Sequence, residues 1–271
     1  MIKQAIIPLA GLGTRMLPLT SVIPKELLPI NGKPNLEYIL DECIDSGIKQ
    51  FIFIISKEKS KIKKYFYSDK LYKKILKKKN DPKIKKHYMK LKKYKKMIKF
   101  VYQNKPKGTG DAVLKCKKYL KGNFFLMLLP DDLIIKKNCC KEMIQLHNQK
   151  KCGIIATKTV NPNDVSRWGI LSKKNKLGNS FQITDVNEKP KIFNAKSNYA
   201  IIGRYILPIK IMKEIKNLKP GQGNEIHITD AIKNLIHKGE KFYANIFKGQ
   251  YLDCGTLSGY IESGKKISKL K

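Results

Sequence analysis

A glycine-rich loop carrying two cations, and an acidic pair at the end of an apolar run, are the features of this 271-residue chain best suited to phosphate chemistry. The loop spans Leu9 to Pro29, L-A-G-L-G-T-R-M-L-P-L-T-S-V-I-P-K-E-L-L-P, and follows the strand-like run Ala5-Ile6-Ile7. Gly11 and Gly13 let backbone N–H groups approach phosphate oxygens. Arg15 and Lys25 supply the positive charge that N–H groups lack. The spacing is not that of a dinucleotide fingerprint, because Met16 stands where a third glycine is needed. A P-loop is also excluded, since no Gly-Lys-Ser/Thr follows the second glycine. A Gly-x-Gly pair alone is equally a tight turn; the whole segment is what points to a polyphosphate.

The acidic pair lies in Leu128-Leu129-Pro130-Asp131-Asp132. An apolar strand running straight into carboxylates places them at the C-terminal edge of a parallel sheet, where such folds bind ligands. Asp131 there can hold Mg²⁺ against phosphate oxygens, although a turn or a helix cap also accounts for a single Asp. Trp168-Gly169-Ile170 and Asn187-Glu188-Lys189-Pro190 carry further polar groups, and without context a Glu-Lys before Pro is an ordinary turn.

G-L-G-T-R-M-L-P followed by I-P-K-E-L-L-P resembles the signature of the bacterial UTP–glucose-1-phosphate uridylyltransferase family, a branch of the sugar nucleotidyltransferases. The resemblance implies an α/β, Rossmann-like nucleotidyltransferase fold with a mixed, mostly parallel central sheet flanked by helices. It implies Mg²⁺-dependent uridylyl transfer from UTP to α-D-glucose 1-phosphate, giving UDP-glucose and pyrophosphate for cell-envelope glycan synthesis. Arg15, Lys25 and Lys189 become the catalytic cations. Ala10, Gly11, Gly13, Glu26, Gln103 and Gly108 become nucleotide contacts. Gln103 and Gly108 match the residues that read the uracil edge, and an amide offers a donor and an acceptor together. The family commonly has His where this chain has Asp111. Trp168-Gly169 stands at the family's Tyr-Gly; Gly169 and Glu188 fall on the sugar side, and Lys189 matches the residue that grips the sugar phosphate. Asp253, in Leu252-Asp253-Cys254-Gly255-Thr256, resembles the family's late Asp-x-Gly motif and becomes the second metal ligand with Asp131. Ile202-Gly203-Arg204-Tyr205, Gly223-Asn224-Glu225 and the run from Ile228 to Ile232 are assigned to scaffolding and interface. The family forms homo-oligomers, so a dimer or tetramer is expected, though relatives run longer beyond the short amphipathic tail 257–271. Two alternatives stay open. A glucose-1-phosphate thymidylyltransferase usually reads Gly-Gly-x-Gly-Thr-Arg-Leu and Ser-Lys-Gln-Leu-Leu-Pro, and Ala10-Gly11 and Pro24-Lys25-Glu26 point away from it. A non-catalytic regulatory paralogue would be expected to lose charged loop residues that are present here.

The elements that must position these groups alternate between strand-like runs and helical patterns, the mark of βαβ units. Strands are expected at 3–8, 51–55, 98–102, 124–129, 152–158, 181–187, 199–207 and 242–247, and helices at 35–46, 108–120 and 228–237. A single domain, 1–271, is expected, with a nucleotide-binding part at about 1–135 and a sugar-binding and C-terminal part at about 136–271. The Lys-rich segment 57–97 interleaves lysines with Tyr65, Phe66, Tyr67, Leu71, Tyr72 and Ile75. Such a pattern can bind single-stranded nucleic acid, but a helical insertion with one packed apolar stripe is the expected reading. The formal charge is +36, yet only Arg15, Arg167 and Arg204 among 57 basic residues are arginine. Base and phosphate readers favour Arg, so a solvated Lys surface is expected, with no specific nucleic-acid partner. A mean hydropathy of −0.38, the lack of a membrane-length apolar run and six cysteines without a C-x-x-C spacing lead to the expectation of a reduced cytoplasm and no membrane association.

Overall fold

Strand side chains alternate between faces, and that alternation builds the molecule. β1 (Gln4–Pro8) sends Ala5 and Ile7 into one core and Ile6 into the other. The glycine-rich loop that follows folds into short 3₁₀ turns, and a two-residue hairpin, β2 (Pro29–Ile30) with β3 (Lys33–Pro34), leads into α1 (Asn35–Asp45). Leu36, Ile39, Leu40 and Cys43 make the buried stripe of α1. β4 (Gln50–Ile55) is apolar on both faces because both faces are covered. The Lys-rich segment forms α2 (Ser60–Tyr67), α3 (Lys70–Lys78) and α4 (Pro82–Met97), then β5 (Ile98–Tyr102) and α5 (Thr109–Leu114) follow. After β6 (Phe124–Leu128) come β7 (Asp132–Ile135), α6 (Cys139–Lys150) and β8 (Gly153–Thr159). The second half adds β9 (Gly169–Leu177), β10 (Ser180–Glu188), β11 (Tyr199–Pro208), α7 (Ile211–Asn217), α8 (Ile228–His237), β12 (Phe242–Ile246), β13 (Gln250–Asp253) and α9 (Leu257–Ser268). This computed structural model describes residues 1–270, so Lys271, the end of the expected tail, lies outside the described residues.

Nine strands form one sheet in the order β5-β4-β1-β6-β11-β8-β12-β10-β9. Pairings are parallel from β5 to β6 and between β8 and β12, whereas β11 runs antiparallel to both β6 and β8, and β10 antiparallel to β12 and β9. The sheet is therefore mixed, with its parallel character concentrated in the N-terminal half. One core lies against α1, α2, α4, α6 and α9, the other against α5, α7 and α8.

All eight expected strands are present. The expected helix 108–120 is shorter: α5 stops at Leu114, and Lys117–Tyr119 is a separate 3₁₀ turn. β9 escaped the sequence pattern because Ser172-Lys173-Lys174-Asn175-Lys176 is polar throughout; its strand character comes from pairing with β10. β7 and β13 are short, and each becomes a strand only by pairing with the other. The buried face of α6 is made by Cys139, Cys140, Met143 and His147, types that do not announce an apolar stripe.

The Lys-rich helices pack on α1. Ile62, Phe66, Leu91 and Tyr94 are buried, and Tyr65 and His87 reach Glu37 at 2.6 and 3.1 Å. Tyr72 and Tyr88 stack on each other, 5.4 Å apart and 11° from parallel, so these rings pair internally. Among the described residues, all six cysteines are buried and unpaired, and no helix is long and apolar enough to cross a membrane.

Candidate active site

The glycine-rich loop leaves β1 at the C-terminal edge of the sheet. Gly13 adopts φ +74°, a conformation that costs glycine little, and Thr20 Oγ1 closes the turn by donating to its carbonyl at 2.9 Å. Lys25 reaches out of this loop to Asp131 Oδ2 at 2.6 Å, and Arg15 Nη2 lies 3.8 Å from the same oxygen. Burial alone would lower the Lys25 pKa, but Asp131 and Glu26 outweigh it and raise it. Burial would likewise raise that of Asp131, but Lys25 and Arg15 hold it below the ordinary carboxylate range. Glu26 lines the cleft with its carboxylate turned to Lys59, whose ammonium donates at 2.7 and 3.0 Å; this buried pair ties the loop to the start of α2.

Arg204 holds the acidic loop from beneath. It is fully buried in β11, donates to Glu42 of α1 at 2.9 and 3.2 Å, and donates to the Leu129 carbonyl at 3.1 Å. Asn35 Nδ2 donates to the Pro130 carbonyl at 2.9 Å. Asp132 turns inward, accepting from Tyr251 Oη at 2.7 Å and from the Gly203 N–H at 3.1 Å. Burial and the neighbouring Asp131 push its carboxyl up to about 6.

Asp253 arrives from the other end of the chain. Antiparallel pairing sets Asp253 opposite Asp132, and the Cys254 N–H donates to the Asp131 carbonyl at 2.8 Å. A Cβ placed on Gly255 would lie 2.8 Å from Asp131 Oδ2, 3.2 Å from Asp253 Oδ1 and 3.1 Å from Arg15 Nη2. The two carboxylates and Arg15 thus crowd around Gly255, whose N–H donates to Asp253 Oδ1 at 2.8 Å, and hard carboxylate oxygens brought this close are donors of the kind a divalent ion takes beside phosphates.

The motifs around Gly169 and Glu188 line the same hollow. Glu188, at the end of β10, accepts from Thr229 Oγ1 in the first turn of α8 at 2.9 Å. Gly169 opposes Glu188 across the β9–β10 ladder and leaves space for its carboxylate. Lys189 takes φ +43°, uncommon for a side chain with a Cβ, and its N–H donates to the Trp168 carbonyl at 2.9 Å. Just after β5, the Gln103 N–H bonds to the Ile55 carbonyl, while its Nε2 donates to Asp111 Oδ2 at 2.7 Å and to the Gly108 carbonyl at 3.2 Å. An amide offers a donor and an acceptor together, but in the structure both N–H groups of this one are already engaged.

Two adjoining clefts result. One, about 240 Å³, is lined by Ala10, Gly11, Lys25, Glu26, Gln103 and Gly108. The other, about 320 Å³, is lined by Arg15, Gly169, Glu188, Lys189 and Asp253. Asp131, Leu129, Thr109 and Glu225 line both, so the clefts meet at the acidic loop. Of the site residues expected from sequence, Gly13 alone lines neither cleft; it packs behind Lys25 against Thr20. Arg167, Asp132, Thr229 and Tyr251 also line the larger cleft and were not assigned to the site from sequence. Arg167 carried a signal, being one of three arginines, and its Nη2 lies 3.8 Å from Asp253. A larger, mainly apolar cavity of about 700 Å³ among the Lys-rich helices lies apart from all these groups.

The nucleotidyl transferase family matches residues 4–269. The chain belongs to that family. Among curated members, the UTP–glucose-1-phosphate uridylyltransferase of Mycoplasma genitalium is 36% identical over 265 residues, covering 97% of this chain and 90% of the relative. A crystal structure of a UDP-glucose pyrophosphorylase complexed with UDP-glucose superposes with a TM-score of 0.88 at 33% identity, covering 100% of both chains. A UTP-bound enzyme of the same type from Acinetobacter baumannii has a TM-score of 0.85 at 31% identity, covering 98% of this chain and 93% of that one. The nucleotidyl transferase fold thus extends over nearly every element described above.

Proposed function

We propose that this chain transfers a uridylyl group from UTP to α-D-glucose 1-phosphate, giving UDP-glucose and pyrophosphate. The carrying observation is the meeting of the two clefts at Asp131, with Lys25 lining one, Arg15, Glu188 and Lys189 lining the other, and both Lys25 and Arg15 beside the Asp131 carboxylate. The sugar-phosphate oxygen attacks the α-phosphorus of UTP, the bond from that phosphorus to the bridging oxygen breaks, and pyrophosphate departs. The nucleophile is already anionic, so no protein base is needed, and positioning with charge stabilisation carries the rate. Lys189 presents the sugar phosphate, Glu188 accepts from sugar hydroxyls, and Arg15 and Lys25 stabilise the departing pyrophosphate. Asp131 and Asp253 would hold a divalent ion, Mg²⁺ in this reading, which when bound supplies positive charge to the phosphate oxygens.

The proposed enzyme is a cytoplasmic homo-oligomer, dimer or tetramer, for which Phe193, 81% exposed beside exposed Ile192, offers an apolar knob of the kind interfaces bury. The test is pyrophosphate release from a panel of nucleoside triphosphates and sugar 1-phosphates with Mg²⁺. UTP with glucose 1-phosphate is expected to be the preferred pair, ahead of dTTP, and Asp131→Asn is expected to lose on the order of a hundredfold or more in turnover. Release from no pair, or wild-type turnover in folded Asp131→Asn, would refute the assignment.

A further inference from the structure

Asp111 sits in the first turn of α5 with its side chain largely shielded, one oxygen toward Gln103 and the other 3.8 Å from Lys115. The stretch around it is held rigidly. Ile226 N–H donates to the Lys107 carbonyl at 2.9 Å, Gly110 N–H donates to the Ile226 carbonyl at 2.7 Å, and a Cβ on Gly108 would come within 2.6 Å of that carbonyl. Gly108 itself has φ +95°, so its carbonyl direction is set by a backbone that other residues rarely adopt. Two acceptors therefore face one end of the Gln103 amide, the Asp111 carboxylate and the Gly108 carbonyl. Neither donates. Only the NH₂ end satisfies both, so the amide has one allowed orientation and its Oε1 is the end left for the nucleotide cleft.

We infer that Asp111 is a positioning residue for base selection: it locks Gln103 so that the side chain presents an acceptor alone, which suits a base edge carrying an imide N–H. This rests on the proposed uridylyl transfer and on Gln103 facing the base. Uracil places a proton on N3, whereas cytosine in the same pose places an unprotonated nitrogen there, lone pair against the Gln103 oxygen. Uracil and thymine share the imide, so the device separates UTP from CTP and leaves UTP against dTTP to other contacts.

The experiment measures kcat/KM for UTP and for CTP by pyrophosphate release in wild type, Asp111→Asn and Gln103→Ala, with folding checked by thermal melting. An amide at position 111 offers a donor, which permits Gln103 to turn round. Asp111→Asn is expected to narrow the UTP:CTP ratio about tenfold, the scale of one hydrogen bond, with the KM for glucose 1-phosphate unchanged. Gln103→Ala is expected to narrow it by at least as much. A merely structural role for Asp111 would lower both nucleotides equally, and an unchanged ratio in Asp111→Asn beside a collapsed one in Gln103→Ala overturns the inference. An unchanged ratio in Gln103→Ala overturns the base-facing assignment itself, and absence of turnover in wild type with either nucleotide overturns the proposed reaction.

Discussion

Lys25 and Asp131 form the tightest charged contact between the two cation-and-carboxylate motifs, at 2.6 Å and with both side chains mostly shielded. Neither stays there by local preference, since 106 residues separate them. Shielding is what makes the contact useful, because a charge held out of water acts on a phosphate with less screening. Lys25→Ala is expected to lower kcat by about a hundredfold or more and also to lower the melting temperature, since the shielded Asp131 keeps only Arg15 at 3.8 Å, while the protein still folds. Steady-state rates and a thermal melt on the same preparation check this; an unchanged kcat would remove Lys25 from the reaction. Glu188→Gln is expected to raise the KM for glucose 1-phosphate about tenfold and leave that for UTP unchanged, since a charge-assisted acceptor is lost on the sugar side only.

At the scale of elements, one buried ion pair holds the site and one half-buried ionic cluster holds the helices beside it. Arg204 joins β11, α1 and the end of β6 through Glu42 and the Leu129 carbonyl. Arg204→Ala leaves the Glu42 carboxylate buried without its cation, and a loss of about 3–5 kcal/mol in urea unfolding is expected. Replacing both, Arg204→Met with Glu42→Leu, is expected to recover much of that loss. Asp41 ties α1 to the Lys-rich helices, accepting from Lys33 at 2.5 Å, Lys90 at 2.7 Å and Tyr94. Burial would raise its pKa, but the bonds from Lys33, Lys90 and Tyr94 lower it overall. Its stabilisation is therefore complete above the unfolded value of about 3.9 and is lost as pH falls through the lower folded value. Melting curves of wild type and Asp41→Asn are expected to differ by a few degrees near neutrality and to converge below about pH 4; a gap that persists in acid would point to packing instead.

Across the whole molecule, a charge of +36 carried almost wholly by lysine surrounds a site whose substrates are anions. Such a field raises encounter rates and is screened by salt. Going from about 0.01 M to about 1 M salt shortens the Debye length from roughly 30 Å to roughly 3 Å. kcat/KM for UTP is expected to fall about tenfold across that range, with kcat moving much less; a flat kcat/KM would mean that the lysine surface plays no part in capture. The nine-stranded sheet also explains the two-part site, since parallel β1 and β6 deliver the glycine-rich and acidic loops to one edge while the antiparallel β9–β10 hairpin brings Glu188 alongside.

By itself the amino-acid sequence determined the elements whose pattern is local. Apolar runs specified the eight main strands, the stripe of α1 needed only helical spacing, and the glycines around Arg15 and Lys25 singled out a candidate phosphate loop. Tertiary structure alone decided which groups face each other. Asp253 meets the Asp131 loop because β13 pairs with β7, Glu188 meets Thr229 because α8 packs beside β10, and the Gln103 amide has its orientation because α5 brings Asp111 to it. Periodicity and propensity act over a few residues, whereas which groups meet depends on how whole elements pair and pack, as where β13 sets Asp253 opposite Asp132. For that reason the chemistry was legible as motifs, but the acceptor-only face of Gln103, the inward turn of Asp132 and the support from Arg204 emerged only with the packed fold.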